Sequence, residues 1–178
     1  MNKVVSLDLE TSGFSPEKNE VLEIGAVAYF PSTGERRLFN VLILNKKPIH
    51  PKVSEIHGLT REVLVESGAI SLEEALTQFV VFCEEDCSRI RLVGHNIEAF
   101  DLRFLKFHST RVGVSLPHFY SIHDTYITER NWAKRRPSRS GLSLKLKDCC
   151  TRRHIRVRGR THRALYDAYL AFRLYQKQ

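Results

Sequence analysis

The 178-residue sequence holds one tryptophan, one methionine and four cysteines. It has no apolar run approaching the roughly 18 residues of a membrane span, so a helical membrane protein is not expected. Asp8 and Glu10 fall where a secretory leader would need its apolar core, so export by that route is not expected either. Cys83, Cys87, Cys149 and Cys150 form no CxxC pair and have no histidine at metal-ligand spacing. That pattern fits reduced thiols in a cytoplasmic or nucleoid-associated protein better than a disulfide framework or a zinc site. There is no internal repeat. With 42% hydrophobic and 27% charged residues the chain has ordinary globular composition, which excludes disorder as its main state. Its length suits one domain over 1–178.

Acids are scarce in one place. From Arg130 to Arg163 there are 13 Lys or Arg and a single acid, Asp148, a net of +12. The whole chain is +8, so the remainder is −4. A segregated basic stretch on a mildly acidic body points to a polyanion, with nucleic acid first; a solvated basic loop is the plain alternative.

Val4–Glu10, Val21–Phe30 and Leu38–Leu44 read as strands of an antiparallel meander, with a turn at Pro31-Ser32-Thr33-Gly34. Pro51–Ile56 opens a short helix and Thr60 another. Ser71–Glu85 is amphipathic, with Ser71 and Glu74 forming a capping box. Arg91–Gly94 reads as a short strand and Glu98–His108 as a helix. Asp124–Trp132 and Leu142–Cys150 read as helices flanking a loop at Arg135–Gly141. Thr161–Gln176 closes the chain as a helix. Strands first, then helix, strand and helices, predicts a mixed α/β sheet covered by helices.

Asp8 and Glu10, two apart on a strand, leave the same face, while Val5, Leu7 and Leu9, together with Val4, form the other. Two adjacent carboxylates on one face repel unless a cation lies between them; a solvent-facing strand is the alternative. Asp101 follows Gly94-His95-Asn96 at a strand-to-helix junction, where ligand sites of α/β folds gather. Asp167 sits in a helix apolar nearly all round, so burial is expected, with Arg163 one turn earlier as an alternative salt-bridge partner. His162 precedes that helix and can swing over the same site.

Asp8-Leu9-Glu10-Thr11, Gly94-His95-Asn96-Ile97-Glu98-Ala99-Phe100-Asp101 and His162-Arg163-Ala164-Leu165-Tyr166-Asp167 resemble, in order, the three motifs of the DnaQ-like (DEDDh) 3′→5′ exonucleases. Ile56-His57-Gly58-Leu59-Thr60 resembles a segment common between the first two. The resemblance runs from residue 8 to residue 167. It implies an RNase H-like fold: three antiparallel N-terminal strands plus parallel strands, flanked by helices. It implies that Asp8, Glu10, Asp101 and Asp167 bind two Mg2+ or Mn2+ ions, and that His162 takes the proton of the attacking water. By the same likeness, the backbone near Thr11 and the side chains of His57 and Leu59 hold the terminal nucleotide, and Asn96 lies close to the phosphate or supports the site.

Arg135, Arg136 and Arg139 are candidates to hold the strand further out. Trp132 and Phe119 stack on bases or, the favoured reading, pack in the core. The expected function is release of 5′-mononucleotides from single-stranded DNA or duplex 3′ ends in repair or proofreading. A 3′→5′ exoribonuclease acting on RNA and a non-catalytic nucleic-acid- or polymerase-binding subunit are the alternatives. A DNA polymerase is a possible partner. The chain stops soon after the last helix, which favours a free-standing nuclease.

Overall fold

A computed structural model describes residues 2–87, 89–135, 141–158 and 162–178. Its centre is a five-stranded sheet of β1 (Asn2–Thr11), β2 (Val21–Tyr29), β3 (Arg36–Leu42), β4 (Arg89–Gly94) and β5 (Phe119–Asp124), in the order β3-β2-β1-β4-β5. β1, β2 and β3 pair antiparallel, whereas β4 runs parallel to β1 and β5 parallel to β4. The mixed sheet is thus the expected one. β5 is an addition to it, an edge strand whose residues alternate between half-buried and exposed.

Seven helices are found among the described residues: α1 (Pro51–His57), α2 (Arg61–Glu66), α3 (Leu72–Glu84), α4 (Asp101–Val112), α5 (Thr125–Lys134), α6 (Leu146–Arg152) and α7 (Ala164–Tyr175). Ser71 caps α3 by accepting from the Glu74 N–H at 3.2 Å. The far end of α3 is capped by an unexpected group, the buried Lys3 ammonium, which donates to the carbonyls of Phe82, Cys83 and Glu85. A cation at a helix C-terminus satisfies orphan carbonyls and opposes the helix dipole, so this lysine is tolerated inside.

β1 is covered on both faces. Val5, Leu7 and Leu9 join the main core with Leu76 and Phe79 of α3 and Phe104 and Leu105 of α4. Val4 does not belong with them. It packs with Val27, Val93 and Phe172 on the opposite face, under α7, as strand alternation requires. Ser6 shares that face and donates to the Ala168 carbonyl at 2.8 Å. α7 lies across the sheet, from β2 near Leu165 to β5, where Gln178 meets His123 at 2.9 Å. Its fully covered Ala164, Ala168 and Ala171 present no bulk, and Gly25 of β2 presents none in return. A Cβ on Gly25 would stand 2.0 Å from the Leu165 nitrogen, so only glycine permits this approach. All four cysteines are free, three of them buried. No helix among the described residues is long and apolar enough to cross a membrane.

Candidate active site

The C-terminal end of β1, the N-terminus of α4 and the start of α7 converge on four carboxylates. Oxygens of Asp8, Glu10 and Asp167 all lie within 4.8 Å of one another. Asp101 stands beside this group, its Oδ1 accepting from the Leu9 N–H at 3.0 Å. A register shift between Glu10 and Thr11 ends the regular β1–β2 ladder at the site.

Burial pushes the Asp8 carboxyl well above its ordinary range, and the charges of Asp101, Glu10 and Asp167 push it further. Glu10 is raised to about 8, by burial first and then by Asp167 and Glu23. Burial likewise raises Asp101 to about 8, against the hydrogen bond from Leu9. Asp167 is raised by burial, while the His162 N–H and the His162 charge oppose the shift. Asp167 Oδ1 is buried and has no hydrogen-bond partner. A cluster whose carboxyls resist ionisation, with an orphaned oxygen inside it, fits hard divalent cations with oxygen ligands.

His162 is brought to the cluster by its backbone, in a left-handed conformation with φ 71°. Its N–H donates to Asp167 Oδ2 at 2.9 Å and its side chain is exposed. Arg163 does not pair with Asp167. It pairs with Glu23 of β2 at 3.0 Å, and Glu23 also accepts from the Ala164 N–H at the first turn of α7. Glu23 sits opposite Glu10 in the ladder and is fully buried, a fifth acid that the motifs do not mark.

Around the cluster, His57 and Leu59 are both buried. His57 Nδ1 accepts from the Leu59 N–H at 2.9 Å, so Nε2 carries the proton and donates to the Thr11 carbonyl at 3.3 Å. Gly58 makes the connecting turn with φ 76°. Asn96, with φ 68°, donates its N–H to Asp124 Oδ1 at 2.9 Å. The same Asp124 caps α5 and so fixes the loop that leads to Asp101. His95 ties that loop to Thr125 at 2.9 Å and to the Leu144 carbonyl at 2.8 Å.

Phe14, four residues past Glu10, is 71% exposed on the loop that follows β1. Its loop is braced by Ser12 and Asn19, which accept from the Glu20 and Ser15 N–H groups. Phe119 packs against the main core, but Trp132 lines an open cleft with Arg135. Arg136 and Arg139 lie outside the described residues.

Residues 5–175 match the exonuclease family model RNase_T. Exonuclease DPD1, chloroplastic/mitochondrial, of Arabidopsis thaliana is 26% identical over 98% of this chain and 55% of its own length. The PolC-type DNA polymerase III of Thermotoga maritima is 38% identical over 57% of this chain and 7% of its own. The solved structure of E. coli Exonuclease I in complex with a dT13 oligonucleotide aligns with a TM-score of 0.78 at 17% identity, covering 99% of this chain and 40% of that one. The chain thus spans about half of one curated relative and a small part of the other. The likeness to Exonuclease I bears out the RNase H-like fold, and by the match over nearly its whole length the chain belongs to the RNase_T exonuclease family.

Proposed function

We propose that this chain is a divalent-metal-dependent 3′→5′ exonuclease that releases 5′-mononucleotides, preferentially from single-stranded DNA. The observation that carries the reading is the convergence of Asp8, Glu10 and Asp167 within 4.8 Å, with a partnerless Asp167 oxygen among them. Two bound Mg2+ or Mn2+ ions supply the positive charge and Lewis acidity that phosphodiester hydrolysis needs. Asp8, Glu10, Asp101 and Asp167 are the residues that hold them. His162, exposed at the rim and anchored through its N–H, accepts the proton of the attacking water. The water oxygen joins phosphorus, and the bond to the 3′ oxygen of the preceding nucleotide breaks. That oxygen takes a proton from solvent.

The Thr11 backbone, held by His57, forms a floor for the terminal nucleotide with Leu59, and Asn96 borders the scissile phosphate. DNA is favoured by the names of the relatives, DNA polymerase III among them, and by the dT13 strand in the Exonuclease I structure. The same relatives support a polymerase as partner, and the free thiols support a cytoplasmic or nucleoid location.

Matched DNA and RNA oligonucleotides, digested side by side in Mg2+, test the reading. Mononucleotides should appear from the 3′ end of DNA, faster than from RNA, and Asp8→Asn should abolish them. Equal or faster RNA digestion overturns the DNA assignment and leaves an exoribonuclease. No metal-dependent release from either overturns the enzyme.

A further inference from the structure

The basic residues of α6 and of the segment after it lie alongside α7. At the β5 edge of the sheet, Glu129 of α5 is fully buried and holds two guanidinium groups, Arg152 at 3.2 Å and Arg153 at 2.8 Å. Arg153 in turn stands 4.8 Å from the centre of the Trp132 ring. Trp132, Arg153 and Arg135 line an open cleft of about 610 Å3 that has no acid among its lining residues. The chain then returns toward the carboxylates in an alternating pattern. Ile155 and Val157 pack inward on Cys149, Cys150, Leu170 and Leu174, while Arg156 and Arg158 are exposed. The Arg158 N–H donates to the Tyr166 hydroxyl at 2.7 Å, one residue before Asp167. This fastens the basic segment to the first turn of α7, beside the site.

On the exonuclease reading, we propose that Trp132, Arg153, Arg156 and Arg158 form a track that binds the single strand leading to the carboxylates. α7 spans 12 residues, about 18 Å, between its two ends. A dinucleotide at the carboxylates is too short to cover that distance; a 12-nucleotide strand covers it. Along the track the exposed charges are of one sign, and the buried Glu129 is committed to Arg152 and Arg153. The exposed guanidinium groups of Arg156 and Arg158, with the indole at the far end of the track, suit alternating phosphates and bases: the arginines take phosphates without reading sequence, and Trp132 stacks on a base. The inward anchors Ile155 and Val157 order the segment before binding, which lowers the entropy lost on capture.

Trp132 is the only tryptophan, so its fluorescence reports on the cleft alone. In EDTA, titration with a 12-nucleotide oligothymidylate should quench it, and a dinucleotide should not. Arg156→Gln with Arg158→Gln should lower the salt slope of 12-nucleotide binding by about 1.4, two phosphates at about 0.7 each. Trp132→Leu should weaken the longer strand about tenfold. If anisotropy shows the labelled 12-nucleotide strand saturating the protein with Trp132 fluorescence unchanged, the track is wrong while the exonuclease reading stands. If no nucleic acid is bound or hydrolysed, that reading fails and the track with it.

Discussion

Gly25 of β2 lies against the Leu165 backbone at the start of α7, with room for no side chain: a Cβ would meet the Leu165 nitrogen at 2.0 Å. Gly25 is also the ladder partner of Asp8. One glycine therefore sets the height of α7 above the strand that carries the first carboxylate, and so the gap between Asp8 and Asp167. Gly25→Ala should lift the helix. Overpacking of this kind costs about 1–3 kcal/mol, and a displacement near 1 Å costs about 10²-fold in rate. Thermal melting and metal-dependent hydrolysis check it together. Parental activity would mean that the helix start adjusts without moving Asp167.

Much of this site is legible in the sequence because it depends on local periodicity. Asp8 and Glu10 share a face by strand alternation, and Asp167 is buried because its helix is apolar nearly all round. What escapes sequence reading depends on partners distant in the chain. Glu23 is an ordinary strand glutamate until Arg163, 140 residues later, is set beside it. Asp124 reads as a helix cap, which it is, but its bond to the Asn96 N–H exists only because β4 and β5 pair. β5 itself is a six-residue edge strand whose Phe119, Tyr120 and Ile122 do not alternate strictly with polar residues, too weak a signal to separate from a loop. Lys3 looks like a tail residue and is instead buried under α3.

Metal and pH should act on stability in a linked way. Burial raises Glu10 from 4.5 to about 8 in the folded state without metal. Between those values the folded protein holds a proton that the unfolded chain has released. Stability must then fall as pH rises across the window, opposite to a salt-bridged carboxylate. Mg2+ or Mn2+ binding to the folded state should offset the loss, most strongly above pH 8. Melting curves in EDTA and in Mg2+ at pH 6 and pH 8.5 test this. A metal-free melting temperature that does not fall with pH would show that the carboxylates ionise freely.

His162 should be separable from the metal ligands. Its N–H holds Asp167 Oδ2, and that bond survives any substitution that keeps φ near 71°. His162→Gly satisfies the left-handed backbone and removes only the imidazole. The rate should fall about 10²-fold, while the metal-induced rise in melting temperature persists. Added imidazole should restore part of the rate, since the side chain is exposed and leaves an open position. Undiminished turnover in the variant would make the histidine a backbone anchor and nothing more.

Phe14 offers the sharpest test of how the strand end is held. An aromatic ring 71% exposed gives the fold little, so its removal should change stability by less than about 0.5 kcal/mol. Yet its position is fixed: Gly13 before it packs so closely on Asn19 that a Cβ would fall 2.4 Å from the amide, and Asn19 in turn accepts from the Ser15 N–H after it. A ring carried on a braced loop four residues beyond Glu10 suits a base at or next to the terminal nucleotide. Stacking on one base contributes about 1–3 kcal/mol. Phe14→Ala should therefore raise the KM for single strands about tenfold, and it should do so for dinucleotides as well as long strands. That length-independence distinguishes it from loss of the Trp132 cleft, which only long strands reach. Phe14→Tyr, which keeps the ring, should restore the parental KM. If alanine leaves KM unchanged for both lengths, the ring does not touch the strand.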